Sequence, residues 1–143
     1  MNIVWQLKPD ERLKEWRAFR NDAKQKDIED ILLDVIEWWK YTPVSSRVID
    51  AYDNTDWPDP WQLLHKGDFD ENSIALGMGY TLHLMGYPCD ILLIQNRENH
   101  LLKLIVLVDK THILNYTYGN IDKITVLDSC EVLSQYNTKD MIK

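Results

Sequence analysis

Residues 70–94, DENSIALGMGYTLHLMGYPCDILLI, decide the fold class of this chain. The first part predicts a helix that begins near Asp70 and ends at Gly86, a residue type suited to a helix C-terminus. The apolar residues of Asp90–Ile94 then follow one another without helical spacing and predict a buried strand. This change of period predicts a helix that packs on a sheet.

Gly77 and Gly79 lie inside the predicted helix. Each glycine costs about 1 kcal/mol relative to alanine in a helix interior. That cost is offset where a neighbour packs closely against the helix backbone, and a sheet would supply such a neighbour. We therefore expect this helix to be central and buried.

Short apolar runs separated by polar turns continue after the first predicted strand. They lie at Leu101–Val108, Ile113–Tyr118 and Ile124–Leu127. Together with Asp90–Ile94 they predict antiparallel strands joined by hairpin-sized turns. Residues 129–143 are expected to form a C-terminal tail.

Helical signals precede residue 70. Residues 10–24 carry a narrow apolar stripe and predict a peripheral helix. Asp27 can cap a second helix, whose apolar residues follow the spacing of one buried face, and Pro43 predicts its end near Thr42. That face comprises Ile28, Ile31, Leu32, Val35, Ile36 and Trp39.

Asp59, Pro60 and Gln62 supply a cap, a first-turn proline and a third-position glutamine, which predict a short helix that Gly67 ends. Helices followed by a meander of strands are typical of an α+β fold. We expect one domain over residues 1–143, with a helical part (1–56), a core of helix and sheet (57–128) and the tail (129–143). At 143 residues a single core is the expected arrangement.

The composition excludes several functional classes. The net charge of −7, without a cluster of Lys and Arg, disfavours nucleic acid as a partner. The longest apolar runs are strand-sized, so neither a membrane span nor a signal peptide is expected. Cys89 and Cys130 are too few and too far apart for a disulfide scaffold, which fits a soluble protein in a reducing compartment such as the cytoplasm.

A set of polar residues in the second half suggests an active-site arrangement. Residues 67–71, Gly-Asp-Phe-Asp-Glu, open the central helix, His100 stands at the head of a predicted strand, and Asn115 lies in the next strand. This order resembles the transglutaminase-like family of papain-type cysteine hydrolases, over residues 61–119. In that family a Gly-Asp-Cys-Asp/Glu-Asp stretch opens the helix, a His begins one strand and an Asp lies in the adjacent strand.

The chain departs from the family pattern at two positions. Phe69 stands where the resemblance places the thiol, and Asn115 stands where it places the carboxylate. An asparagine can still orient an imidazole, but phenylalanine cannot act as a nucleophile. The resemblance therefore implies a degenerate site at Phe69, His100 and Asn115, and a protein that is not an enzyme.

Other interpretations of these residues stay open. Asp68, Asp70 and Glu71 can serve only as helix-capping residues with favourable charges, while His100 and Asn115 are ordinary polar residues. A hydrolase or transferase that uses a carboxylate beside His100 is a second alternative. A third is an acidic regulator that binds a basic partner.

The remaining candidates predict no cofactor and no metal site. His65, His83, His100 and His112 lack metal-ligand spacing, and Cys89 and Cys130 are expected to be buried packing residues. Trp57 and Trp61 flank two prolines in a rigid aromatic corner, which is expected to pack in the core, with an interface as the alternative.

The sequence thus predicts a non-catalytic structural protein whose partners are other protein subunits. By overall appearance the chain resembles small proteins of tailed phages, so a phage tail or baseplate, and incorporation in a virion, are expectations.

Overall fold

The computed structural model describes residues 4–23, 26–43, 49–67 and 70–141. Its α-helices are α1 (Pro9–Ala23), α2 (Ile28–Lys40), α3 (Pro60–Lys66), α4 (Glu71–Leu84) and α5 (Thr138–Met141). Its strands are β1 (Asp90–Asn96), β2 (Leu102–Val108), β3 (His112–Leu114), β4 (Asp122–Lys123) and β5 (Cys130–Asn137). Short 3-10 helices span Val4–Gln6, Asn54–Asp56 and Ile124–Ser129.

The predicted N-terminal helices are confirmed. Helix α2 begins after Asp27, and the residues predicted for its inner face are buried, apart from Ile28, which is partly buried. In α3, the side chain of Asp59 accepts from the backbone nitrogen of Gln62, and the Gln62 side chain accepts from the backbone nitrogen of Asp59. This reciprocal pair is the predicted capping box.

Helix α4 is the centre of the fold, as predicted. Gly77 allows close contact with Trp39 of α2, because an added Cβ would lie 2.5 Å from the Trp39 ring. At Gly79 an added Cβ would lie 2.7 Å from Ile91 of β1. Gly79 is therefore needed for close packing on the sheet, as predicted, whereas Gly77 is needed for close packing against α2.

The strands form one five-stranded sheet of order β4-β3-β2-β1-β5, in which all neighbours are antiparallel. One face packs on α4 through Ile91, Leu93, Leu104, Val106 and Leu114. The opposite face has its own apolar cluster of Leu92, Ile94, Ile105, Leu107, Ile113 and Cys130. Because β1 and β2 are buried on both faces, their sequences are continuous apolar runs.

Three predictions about the second half are wrong in detail. The third strand ends at Leu114 rather than Tyr118, because the chain turns at Asn115, which has a φ of 68°. Ile124–Leu127 belongs to a 3-10 helix that covers the outer sheet face through Val126 and Leu127. Residues 129–143 are not only a tail, since Cys130–Asn137 pairs with β1 at the sheet edge.

No helix in the described part of the chain is both long enough and apolar enough to span a bilayer.

Candidate functional site

The C-terminal end of α3 is held by Arg12. Its guanidinium donates to the carbonyl oxygen of Val4 in the N-terminal 3-10 helix and to that of Leu64 in α3. Burial lowers the pKa of Arg12. Gly67, with a φ of 73°, ends α3 directly against this guanidinium, where an added Cβ would lie 2.5 Å from an Arg12 nitrogen. Glycine suits both this left-handed conformation and this close contact.

Asp68 and Phe69 follow Gly67 and lie outside the described residues. The prediction that Phe69 occupies the nucleophile position therefore rests on the sequence.

Asp70 caps the N-terminus of α4. One of its carboxylate oxygens accepts from the backbone nitrogen and the hydroxyl of Ser73, both at 2.9 Å. The other accepts from the backbone nitrogen of Ile49 at 3.3 Å. Both carboxylate oxygens are thus engaged in holding the helix start and the preceding segment.

Two asparagines join the first turn of α4 to β2. The backbone nitrogen of Leu104 donates to Asn72 Oδ1 at 3.0 Å, and its carbonyl oxygen accepts from Asn115 Nδ2 at 3.0 Å. Strand β3 leaves the sheet after Leu114, so no strand residue opposes Leu104 on that side. The asparagine side chains replace the missing strand partner.

Asn115 also donates from Nδ2 to the carbonyl oxygen of Glu71 at 3.2 Å. Both partners of Nδ2 are carbonyl oxygens, which can only accept, so the side-chain nitrogen must face them. Both amide hydrogens are used on the backbone. The left-handed conformation of Asn115, which asparagine tolerates better than most residues, aims its side chain at this junction.

His100 lies in the turn between β1 and β2 and has a φ of 61°. Its backbone nitrogen donates to Asn96, and its carbonyl oxygen accepts from the Gln95 side chain. The residue is exposed, and its imidazole makes no hydrogen bond to any residue that the structure describes. Asn115, whose amide nitrogen faces the backbone, does not hydrogen-bond this imidazole. The structure therefore shows no hydrogen bond between the side chains of His100 and Asn115.

A partly open cavity of about 150 Å³ lies beside Asn115, between α2, α4 and the loop that follows β3. Its buried wall is formed by Ile36, Trp39, Thr42, Ile74 and Met78. Its more exposed lining comprises Lys40, Glu71, Lys103, Asn115, Thr117, Tyr118, Gly119 and Asn120. Cationic and anionic side chains therefore both surround an apolar interior.

The loop after β3 is held by side chains from two elements. Lys103 Nζ donates to the carbonyl oxygen of Tyr116 at 3.0 Å, and the Tyr118 hydroxyl donates to that of Lys40 at 2.8 Å. Asp122 accepts from the backbone nitrogen and hydroxyl of Thr117. The loop thereby forms a fixed wall of the cavity.

Lys103, Asn72 and Tyr118 were missed by the sequence analysis. Lys103 had a usable signal, because it is the single charged residue within the apolar run Leu101–Val108. Asn72 and Tyr118 had none, since their positions depend on where β3 ends.

The two cysteines lie away from the start of α4 and are buried, as predicted. Cys89 precedes β1 and contacts the carbonyl oxygen of Gly79, and burial raises the pKa of its thiol to about 12. Cys130 belongs to the cluster on the opposite face of the sheet. His83 hydrogen-bonds through Nδ1 to the hydroxyl of Thr138, in agreement with a hydrogen-bonded structural histidine.

The aromatic corner divides between core and surface. Trp57 packs against the core, contacts Tyr136 edge to face and donates from its indole nitrogen to the carbonyl oxygen of Asp50. Trp61 contacts Trp16 edge to face but is 46% exposed. The core interpretation fits Trp57, whereas Trp61 lies partly at the surface.

Three structures of LapG from Legionella pneumophila are similar to this chain. The calcium-bound form has a TM-score of 0.74 and 17% identity, over 94% of this chain and 80% of the LapG chain. A second LapG structure has a TM-score of 0.72 and 16% identity, over 95% and 79% of the two chains. The fold is that of LapG. It confirms the predicted transglutaminase-like α+β fold, although no family model and no curated protein matches the sequence.

The third LapG structure is of the EGTA-treated form, with a TM-score of 0.72 and 15% identity. At such identities the likeness to LapG establishes the fold alone. Among residues 4–23, 26–43, 49–67 and 70–141 of this chain, no group of three or more His, Cys, Asp or Glu could hold a metal ion.

Proposed function

We propose that this chain is a non-catalytic binding protein that retains a transglutaminase-like fold and works within a protein assembly. The observation that carries the proposal is the location of its thiols. The sequence has two cysteines, Cys89 and Cys130, and both are buried away from the N-terminus of α4. A helix N-terminus lowers the pKa of a thiol, whereas the apolar surroundings of Cys89 raise it.

The hydrogen bonds of Asn115 give independent support. In the family that the sequence resembles, the residue at this position orients the imidazole. Here the Asn115 amide donates to Glu71 and Leu104, and so it stabilises the contact between α4 and β2. Its side chain serves the fold, which fits a protein that keeps the architecture of the site without its reaction.

A hydrolase that uses a carboxylate is the alternative, and the contacts of Asp70 disfavour it. The carboxylate accepts three hydrogen bonds from Ser73 and Ile49. Both carboxylate oxygens are thereby used to hold the start of α4 and the backbone of Ile49, rather than being directed at a reacting group.

The assembly part of the proposal rests on exposed apolar side chains. Tyr118 is 70% exposed, Leu101 67% and Trp61 46%. Large exposed aromatic and aliphatic residues are frequent anchors in protein interfaces. We propose that the chain is a subunit of a larger particle, of which a phage tail or baseplate is an example.

An activity assay tests the first part. The purified protein is incubated with a mixed peptide library and a primary amine, from about pH 5 to about pH 9, and products of hydrolysis or transfer are detected by mass spectrometry. We expect no product. Turnover by wild type that is lost in both His100→Ala and Asp70→Asn would overturn the proposal.

Native size tests the second part. Material from the natural source is separated by size-exclusion chromatography and the chain is located by antibody. We expect it in a fraction far larger than its 17.0 kDa mass. Elution only as the free monomer would contradict the assembly role.

A further inference from the structure

The cavity beside Asn115 changes in character from its interior to its opening. Ile36, Trp39, Ile74 and Met78 on its inner wall are each at most 8% exposed. The hydroxyl of Thr42 on the same wall already donates to the carbonyl oxygen of Trp39. The interior therefore offers apolar contacts and excludes a charged group, because burying an unpaired charge is costly.

The size of the cavity restricts what it can hold. A volume of about 150 Å³ matches one compact apolar group, such as an isobutyl group or a benzene ring. An extended chain or a nucleotide base with its sugar would not fit. The interior thus suits a single side chain of leucine type.

The lining near the opening offers hydrogen-bonding groups suited to a peptide backbone. Asn115 uses both amide hydrogens on Glu71 and Leu104, while its carboxamide oxygen has no partner among the described residues and is available as an acceptor. Lys103 donates one hydrogen bond to Tyr116, which leaves ammonium hydrogens free as donors. Tyr118 exposes its ring at the same opening.

From this arrangement we propose that the cavity binds a partner polypeptide by taking up one aliphatic side chain, with Asn115 and Lys103 contacting the peptide groups beside it. This inference rests on the proposed function, because it assigns the retained cavity to binding. An apolar anchor seated in a pocket and surrounded by a polar rim is an established form of binding interface. The polar groups fix the orientation of the peptide, and the apolar interior selects the side chain.

Nuclear magnetic resonance titration of the full chain with N-acetyl-leucine methylamide tests the proposal. We expect saturable shifts in the Ile74 and Met78 methyl signals and in the Asn115 side-chain amide, with half-saturation on the order of 1 mM. N-acetyl-glycine methylamide should bind at least about tenfold more weakly, because it lacks the side chain. Equal binding of the two probes, or leucine-probe shifts confined to other regions, would overturn the proposal.

Two variants and a control locate the binding. Ile74→Phe fills the cavity and should abolish the shifts, whereas Leu33→Phe enlarges an exposed side chain of α2 outside the cavity and should leave them unchanged. Should Ile74→Phe not fold, Tyr118→Ala tests the exposed opening and should weaken binding several-fold. Unchanged binding in the folded cavity variants would overturn the proposal.

The same experiment distinguishes a small carboxylic acid from a polypeptide as the ligand of the cavity. It also distinguishes binding of the probe from its cleavage. If N-acetyl-leucine with a free carboxylate binds tenfold more tightly than its methylamide, the polypeptide assignment is wrong. Release of acetate or methylamine would refute the non-catalytic function. In that case the comparison of the leucine and glycine probes would still show whether the cavity binds an aliphatic side chain.

Discussion

The hydroxyl oxygen of Thr81 accepts a hydrogen bond from the indole nitrogen of Trp39 at 3.0 Å. The same oxygen accepts from the Trp16 indole nitrogen at 3.0 Å and donates to the carbonyl oxygen of Gly77 at 2.7 Å. Both lone pairs and the hydrogen of one buried hydroxyl are therefore used. Thr81 thus connects α1 and α2 to the central helix that carries the candidate site at its other end.

Thr81→Val should destabilise the protein strongly. Valine has nearly the same shape, but it removes the acceptor of two buried indole groups, and each such loss costs about 1–3 kcal/mol. Urea denaturation should show a decrease of roughly 2–5 kcal/mol in the free energy of unfolding. Thr81→Ser, which keeps the hydroxyl, is the matched control and should lose much less. Equal losses for the two variants would refute the role of the hydroxyl.

Cys89 should make the stability depend on pH at alkaline values. Its folded-state pKa is raised from 9.0 to about 12, so the folded protein holds the thiol proton more tightly than the unfolded chain. This contribution is fully present below about pH 9 and is lost as the pH rises towards about 12. Cys89→Ala should therefore show a smaller decrease in unfolding free energy over this window than the wild type. Identical slopes would argue against a neutral, buried thiol.

Phe69→Cys tests whether residue 69 occupies the position that the family resemblance assigns to the thiol. In a background of Cys89→Ala and Cys130→Ala, the new thiol should react with iodoacetamide near neutral pH, because a helix N-terminus lowers a thiol pKa below about 8.5. Leu33→Cys, on the exposed face of α2, is the control with an ordinary thiol. If the thiol introduced by Phe69→Cys reacts no faster than this control, the resemblance is accidental at residue 69.

The helices could be predicted because their signals are local. The capping pair of Asp59 and Gln62, and the regular spacing of Ile31, Val35 and Trp39, lie within a few turns of sequence. Strands β1 and β2 were predictable for a related reason, since burial on both faces requires uninterrupted apolar runs.

Strand β5 could not be predicted in the same way, because it forms only by pairing with β1, which is distant in the sequence. Val132 and Leu133 remain exposed at the sheet edge, and the register shifts beside Ile94 of β1. The strand therefore shows no regular alternation of apolar and polar residues. Residues 124–127 were predicted as a strand and form part of a 3-10 helix. An apolar segment that packs on the face of a sheet has the same sequence pattern as a strand within the sheet.

The candidate site was predictable only as far as the family resemblance reached. Asn115 was singled out through that resemblance, but its contact with Glu71 in the first turn of α4 and its donor role follow from the early end of β3. The association of Lys103 and Tyr118 with the cavity depends on the path of the loop after β3. The position of Tyr118 has no local signal, whereas Lys103 stands out as the single charged residue of its apolar run.

The side-chain amide of Asn115 acts as a structural donor to Glu71 and Leu104, and the variant Asn115→Asp tests this role. A carboxylate would face the carbonyl oxygens of Glu71 and Leu104 without hydrogens to donate. Asn120→Asp introduces the same charge at an exposed position of the same loop and serves as the control.

The measurement is the free energy of unfolding of both variants at pH 7 and at about pH 4, where an aspartic acid begins to regain a donor hydrogen. We predict that Asn115→Asp is less stable than the control by about 1–3 kcal/mol at neutral pH, and that the difference shrinks towards acid pH. The site favours the protonated form of the new carboxyl group, so the pKa of this group is raised in the folded state. The loss of unfolding free energy is therefore expected at pH values above this pKa. Equal stability of the two variants at pH 7 would contradict the structural role of Asn115, because it would mean that the site accepts a carboxylate, as an intact hydrolase does.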